Sequence, residues 1–374
     1  MQPVNTVVGD YRLENSELIF SAVSRIANAL ASMRPAVYRR SQRIYDDPRG
    51  VLLTYHPNNF MTAAGFFRTL ETLRLTTGNA YALKVVDRYA QPERFDILDP
   101  QYVMPYINTE TRELWYQITP PDGPAYYIHS WYVLHVPFAS ANGIIGINPL
   151  RVLWPSLEYD DQVNELSMQG IKKGINAQVV LEAPGSLGDE QKEKMIADFV
   201  NTYKKTGGNI LLLESGVTAK TLNINPVDSK KIESNKLTRE QVAMVYNLPP
   251  HLMGDYSGTS YGSQEQQTLE FLSLTMLPIV TLYEQALDNM LFTRDELADG
   301  WHVGFDMDAL IRADSATRAQ KNQIAIRGGW KTPNEVRREY GLAPDDSGDV
   351  LLASRDLTPL RNTIREEVDD NANN

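Results

Sequence analysis

The sequence contains no cysteine. That excludes disulfides, thiol nucleophiles and thiolate metal sites, and it fits a reducing compartment. Apolar runs are short, broken by polar residues well before the roughly 18 that a membrane-spanning helix requires, so a soluble protein is expected. The first residues, MQPVNTVVGDYRLENSE, lack a basic stretch followed by an apolar one, and no signal peptide is expected. Basic charge is also in deficit: 36 Lys and Arg stand against 47 Asp and Glu, a formal net charge of −11. Tight DNA binding needs clustered cations on phosphate, so this balance argues against a repressor or a nuclease clamp. It does not exclude a protein through which DNA passes without sticking. Histidine is scarce, and none of the five sits at a recognised metal spacing.

What is present is 374 residues, too many for one core, so two or more domains are expected. Residues 16–33 place Ile19, Val23, Ile26 and Leu30 on one helical face, with Ser16 or Asn15 as cap and Pro35 as stop. Thr62 to Thr76 predicts a second helix, closed by Gly78. Six short segments follow, at 80–87, 93–99, 102–107, 113–118, 125–129 and 132–138, rich in aromatic and β-branched residues. They are too close in sequence for parallel crossovers and predict a small antiparallel barrel or sandwich.

A helix from Pro149 to Lys173 has a polar face of Glu158, Asp160, Asp161, Gln162, Asn164, Glu165 and Gln169 against a narrow stripe of Trp154, Leu157, Val163 and Leu166. Such a helix is half-solvated or packs against copies of itself. An α/β insert follows, with a strand at 177–182, a capping box at Ser186 and Asp189, a helix at 189–203 and strands at 209–214 and 218–224. A second polar helix covers 228–246. Ser263 and Gln266 form another capping box before a strongly apolar helix, in which Pro278 predicts a kink. A strand at 301–307, helices at 307–326 and 332–340, and an acidic tail, EEVDDNANN, expected to be disordered, complete an α+β fold.

Gly258-Thr259-Ser260-Tyr261-Gly262 fits G-x-S-x-G, the nucleophile elbow of serine hydrolases. An elbow needs a strand before its serine, yet HLMGDYSG follows a double proline and holds two glycines. An acid and a histidine must come later, and only His302 with Asp295 or Asp299 is available. The residues favour a mobile Gly/Ser/Tyr loop, with a serine hydrolase using Ser260 as the alternative. Gly143-Ile144-Ile145-Gly146 lacks the Gly-Lys-Ser/Thr of a phosphate loop. Asp160 and Asp161 are adjacent on a helix and point apart, which suits paired acid–base chemistry poorly. No enzyme is expected.

The order of several segments is informative. SAVSRIANALASMRPAVYRR, HPNNFMTAAGFFRTLETLRLTTGNAYALKVVDR, VLHVPF with GIIGINPL, YNLPPHLMGD, SQEQQTLEFLSLTMLPIVTLYEQALDNML, DALIRADSATRAQ and TPNEVRREYGLAP together resemble HK97-type phage portal proteins over roughly residues 16–355. Leu248 departs from the usual Val, and the C-terminal part is short. The resemblance implies a ring, in this family typically of twelve subunits, at one capsid vertex, through which DNA is packaged and ejected. Residues 1–150 would be the wing, with helices and a small β-barrel; 151–176 and 226–247 the stem helices; 177–225 the clip; 248–264 the tunnel loop; 265–308 the kinked wing helix and strand; 309–374 a reduced crown and tail.

The implied partners are further copies of the chain, double-stranded DNA, the terminase large subunit, the major capsid and scaffold proteins, and a head–tail adaptor. No cofactor, metal or membrane is implied. The location would be the virion's portal vertex, after assembly in the host cytoplasm. Asp255, Tyr256, Ser257, Gly258, Thr259, Ser260, Tyr261 and Gly262 would form the loop that approaches DNA. Asp189, Glu190, Lys192, Lys194, Lys204 and Lys205 would lie on the clip, facing motor and adaptor. Asp255 is the loop's only charge, which suits a sleeve or valve better than a grip.

Overall fold

Ser16 caps α1 (Glu17–Ser32): its Oγ accepts from the Ile19 amide at 3.4 Å. Ile19, Val23, Ile26 and Leu30 are buried, as their spacing predicts. The computed structural model describes residues 16–173, 178–182, 188–205, 218–222, 226–254, 269–307 and 315–352, in two units divided between 306 and 307.

Beyond α1 the chain forms an antiparallel pair that the sequence pattern did not signal, β1 (Pro35–Arg39) with β2 (Gln42–Ile44). A short helix, α2 (Pro48–Thr54), is capped by Asp47. Helix α3 (Ala63–Thr77) packs on α1, starts at the Thr62 cap and stops at Gly78, whose φ of 88° is left-handed. It carries a bidentate ion pair, Arg74 to Glu71 at 2.7 and 2.8 Å, with both side chains buried.

Six strands follow: β3 (Asn79–Val86), β4 (Pro92–Leu98), β5 (Val103–Ile107), β6 (Leu114–Ile118), β7 (Tyr126–His129) and β8 (Val133–Pro137). Of the barrel or sandwich expected, no closed barrel forms. The strands divide into two three-stranded antiparallel sheets, β4-β3-β8 and β5-β6-β7. The physical reason lies at two single 3₁₀ turns, Pro100–Tyr102 and Ser130–Tyr132, where the chain leaves one sheet for the other instead of continuing its ladder. Asp99 caps the first through the Gln101 amide, and His129 caps the second through the Trp131 amide. Tyr81, Val103, Tyr116, Ile118 and Val133 from both sheets share one core.

Two long helices come next, α4 (Pro149–Lys173) and, after the strand β9 (Gln178–Glu182), helix α5 (Asp189–Lys205) and strand β10 (Thr218–Leu222), α6 (Pro226–Val245). Helices α4 and α6 pack on each other, and β9 pairs antiparallel with β10. The expected strand at 209–214 and the capping boxes at Ser186 and Ser263 lie outside the described residues.

The apolar helix after them is not simply kinked at Pro278. A π turn at Phe271–Met276 precedes α7 (Leu277–Leu291), with the Leu277 amide reaching Leu272 O, five residues back. After the capped α8 (Arg294–Ala298), β11 (Trp301–Phe305) pairs antiparallel with β1, Val37 opposite Val303. Phe67 of α3 meets Tyr283 and Phe305 edge-on at 6.2 and 5.3 Å, which joins α3, α7 and β11 in one aromatic core. Lys84 of β3 is buried, donates to Met290 O near the end of α7 and lies over the Trp131 ring at 4.7 Å. Burial pushes its ammonium down to about 8.

The second unit holds α9 (Ser315–Arg327), the described part of the helix expected over 307–326, and α10 (Pro333–Glu339), opened by a Thr332/Glu335 capping box. Asn334 is fully buried and ties α10 to the following turn: its Oδ1 accepts from Asp345 N at 2.7 Å and its Nδ2 donates to Asp345 O at 2.8 Å.

Candidate functional site

Helix α4 is aimed by a knot of four polar groups at its N-terminal end. Tyr116 Oη donates to His135 Nδ1, and His135 Nε2 donates to Asn79 Oδ1, both at 3.0 Å. The same Oδ1 accepts from Gly146 N at 2.8 Å, while Asn79 Nδ2 donates to Gly146 O at 3.2 Å. Gly146 therefore lies flat against the Gly78–Asn79 backbone, and a Cβ there would stand 1.9 Å from Gly78 O. Two residues later Asn148 Oδ1 accepts from Leu150 N at 2.9 Å and starts α4 beside Pro149. G-N-A-Y and G-I-I-G-I-N-P, noted in the sequence as separate elements, are the two halves of one contact.

The His135 ring also stacks on Tyr81 at 4.3 Å, and burial pushes it down to about 4. Its folded value is thus below the ordinary 6.5, so the folded protein binds fewer protons than the unfolded chain in between. The resulting stability is fully present above pH 6.5 and is lost as pH falls towards and through about 4, a loss of roughly 3 kcal/mol at most. Replacing His135 by Gln should flatten the fall of melting temperature between pH 7 and 4.5; an unchanged acid slope would show that another group sets it.

The far end of α6 is held just as specifically. Tyr246 Oη donates to Leu75 O of α3 at 3.0 Å. Asn247 takes φ 51°, its amide bonds Met244 O at 3.2 Å, and the Leu248 amide bonds Ala243 O at 2.8 Å. This is a Schellman closure with Asn where Gly is commonest and a buried Leu248 as its apolar partner. The Asn247 side chain then solves a problem created by Pro278. Proline has no N–H, so Leu274 O, four residues earlier, loses its α-helical donor. Asn247 Nδ2 donates to that carbonyl at 2.6 Å, and Thr275 Oγ1 donates back to Asn247 O at 2.5 Å. The clamp joins the two sides of the chain that flank residues 255–268.

Asn247→Gly keeps the left-handed backbone but removes the amide, and should destabilise by about 1–2 kcal/mol with faster hydrogen exchange over 271–277. Asn247→Ala should lose about 1 kcal/mol more, because Ala disfavours positive φ. Exchange over 271–277 equal to wild type in both variants would exclude the clamp.

All of the expected tunnel-loop residues, Asp255 to Gly262, lie outside the described residues, and Ser260 with them. The segment just before them is a 3₁₀ turn, Pro250–Met253, closed by Gly254 at φ 84°, not the strand that a nucleophile elbow needs. The histidine and one of the two acids named for the hydrolase alternative are occupied elsewhere: His302 lies in β11, stacked on Tyr38, and Asp299 pairs with Arg39 and Arg40. Among the described residues no group of His, Cys, Asp or Glu could hold a metal, and no helix is long and apolar enough to cross a membrane.

Of the residues expected on the clip, Asp189, Glu190, Lys192 and Lys194 are all exposed on α5, with Lys192 Nζ 3.0 Å from Asp189 Oδ1. Lys204 and Lys205 end the same helix, and their side chains lie outside the description. On the two long helices, Leu150, Leu153 and Leu157 of α4 and Val242, Ala243 and Tyr246 at the end of α6 are buried. Val152, Tyr159, Leu237 and Met244 of the same two helices are exposed, Met244 by 71%. Of the stripe expected on α4, Leu157 is buried, Val163 is half-buried, Trp154 is 44% exposed and the side chain of Leu166 lies outside the description, while Asn79, His135 and Asn247 were missed because nothing local marks a polar side chain that serves a backbone far away in the chain.

Residues 17–341 match the family model described as phage portal protein. The portal protein of Enterobacteria phage HK97 is 25% identical over 370 residues, covering 94% of this chain and 85% of the relative. A chain from the neck of an empty gene transfer agent particle superposes with a TM-score of 0.62 at 21% identity, over 89% of this chain and 92% of the other. An HK97-family phage portal protein from Corynebacterium diphtheriae gives 0.56 at 14% identity, over 80% and 95%. At these identities the structural likenesses speak for fold.

Proposed function

Because the chain belongs to the phage portal protein family, of the HK97 type, we propose that it assembles into a ring at one capsid vertex and forms the channel for packaging and ejecting double-stranded DNA. The family is a structural class, not a catalytic one. Beyond membership, the reading is carried by the outer surface of α4 and α6. These helices bury one apolar stripe on each other and leave Val152, Tyr159, Leu237 and Met244 in water. A monomer gains nothing from such a surface; neighbouring copies in a ring would cover it. The related particle necks were computed with sixfold and twelvefold symmetry, which supports a ring and makes twelve copies the natural choice.

In that ring residues 255–262 form the channel-facing loop, suspended between the two chain ends that Asn247 clamps. With Asp255 as its only charge, and −11 on each chain, the wall repels phosphate and lets DNA slide. The exposed charges on α5, with Lys204 and Lys205, form the surface offered first to the terminase large subunit and then to the head–tail adaptor. The wing meets major capsid and scaffold proteins.

The test is negative-stain microscopy of the purified protein, with light scattering on the same sample. Rings with an open centre are expected, and Val152→Asp with Met244→Asp should abolish them while circular dichroism stays unchanged. Rings that survive both substitutions would remove α4 and α6 from the interface; a wild type that stays monomeric even with its capsid partners would overturn the channel. Fluorophosphonate labelling of Ser260 separates the hydrolase alternative, and none is expected.

A further inference from the structure

The β5-β6-β7 sheet buries one face and shows the other to water. Side chains alternate along a strand, so Val103, Tyr116 and Ile118 enter the shared core while their neighbours face outward. The outward set is Met104 and Tyr106 of β5, Trp115 and Gln117 of β6, and Tyr127 and His129 of β7. Register aligns it in two rows, Tyr106 opposite Trp115 opposite His129, and Met104 opposite Gln117 opposite Tyr127. The Tyr106 and Tyr127 rings meet edge-on at 5.8 Å, and Trp115 meets His129 edge-on at 5.1 Å. Met104, Tyr106 and Tyr127 are each about half exposed. None of the six is Lys, Arg, Asp or Glu. A contiguous aromatic face of this kind marks a binding surface.

The same sheet carries a segment that fits it. Strands β6 and β7 are joined through Thr119-Pro120-Pro121-Asp122-Gly123-Pro124-Ala125, in which residues 121–125 are exposed. Gly123 N donates to Pro120 O at 3.4 Å, so the segment is a tight turn closed on itself. Prolyl rings are apolar and already restricted in φ, so they lose little freedom on docking, and aromatic-lined surfaces bind them. Nucleic acid is the poorer occupant, because a face without cations offers nothing to phosphate. The turn leaves the aromatic face of its own copy exposed. Both patches therefore stay unsatisfied until a second copy brings them together.

We propose that residues 120–124 of one copy dock on the Tyr106–Trp115–Tyr127 face of the next. Two different patches of one surface then pair head to tail, and such a contact closes into a ring when it repeats. Resting on the ring reading above, this contact adds an interface carried by the sheet to the one carried by α4 and α6.

Because the chain has no cysteine, introduced thiols report the contact without background. Full-length Pro121→Cys and Tyr127→Cys proteins, mixed, assembled and treated with a short bismaleimide, should give a cross-linked dimer on a denaturing gel. The double variant should give a ladder of higher multiples, and Pro121→Cys alone should give neither. A mutant cycle gives the second reading. Tyr106→Ser/Tyr127→Ser and Pro121→Ser/Pro124→Ser should each raise the protein concentration at half assembly by about tenfold, and all four substitutions together by no more than either pair. Rings that yield no cross-link, or tenfold losses that multiply, would overturn the proposal and leave the ring standing. A protein that forms no rings even with its capsid partners would overturn both.

Discussion

Gly146→Ala is expected to leave little assembled protein. A Cβ at this position would stand 1.9 Å from Gly78 O and 2.7 Å from Phe138 N. Both neighbours are backbone atoms already committed to each other, since Phe138 N donates to Gly78 O at 2.8 Å. Neither can turn aside as a side-chain tip could, so the strands must part or the loop must lift. Either movement breaks the paired bonds between Asn79 and Gly146 and leaves the His135 ring without its acceptor. The destabilisation should be at least about 3 kcal/mol, at the upper end of what overpacking a tight site produces. Against a total stability of about 5–15 kcal/mol that is a large share. Thermal unfolding should show a melting temperature lower by roughly 6–12 °C.

Gly143→Ala is the control in the same motif. Gly143 has φ 76° but nothing within 4 Å of a new Cβ, so only the left-handed backbone penalty applies, about 1 kcal/mol. If the two glycines respond alike, the close approach is not what Gly146 provides. If they differ as expected, the loss at Gly146 should also reduce ring formation, because Asn148 and Pro149 start α4 from this knot.

The elements the sequence made legible are those with local signals. Helix α1 carries its cap at Ser16 and α3 its stop at Gly78 beside their own apolar residues, and α4 shows its extent, Pro149 to Lys173, within one segment. The β1–β2 pair was invisible because β1 finds its second partner at Trp301–Phe305, far along the chain, and no periodicity within 35–44 announces it. The choice between barrel and sandwich was not legible for a related reason. Alternation says that a segment is a strand, but not that a 3₁₀ turn at Pro100 or Ser130 will hand it to another sheet.

Pro278 shows how a local signal can be read without showing how the fold accommodates it. The missing N–H was legible; a π turn and an amide from Asn247 accommodate it, and only the fold brings Asn247 there. The contacts of Tyr246, Asn247 and Thr275 were not legible at all, because each joins segments far apart in the chain.

The other large effect is expected at Arg74. Its guanidinium and the Glu71 carboxylate make two parallel bonds at 2.7 and 2.8 Å, with exposures of 3% and 0%. Burial opposes the charge on Arg74, but Glu71 outweighs it and holds the guanidinium above its ordinary value. The Phe138 ring covers the guanidinium at 5.1 Å. Arg74→Met would leave Glu71 buried without its partner, and a loss of about 3–5 kcal/mol is expected. Glu71→Gln should lose a comparable amount, because a buried guanidinium would then face a neutral amide. The double change Glu71→Leu/Arg74→Met should be close to wild type, since removing both charges also removes both desolvation penalties.

Denaturant unfolding of wild type, both single variants and the double variant measures the coupling, which should exceed about 2 kcal/mol. Strictly additive losses would mean that the pair is not coupled and that each side chain acts through packing alone. The pair lies beneath the end of α6: Leu75, next to Arg74, is the residue whose carbonyl receives Tyr246 Oη. A weakened α3 should therefore loosen Tyr246 and the Asn247 clamp before it melts the sheets. Hydrogen exchange over 243–248 should rise in Arg74→Met while exchange over 114–118 stays at the wild-type rate. That order of loosening would make the buried pair the support on which the Asn247 clamp rests.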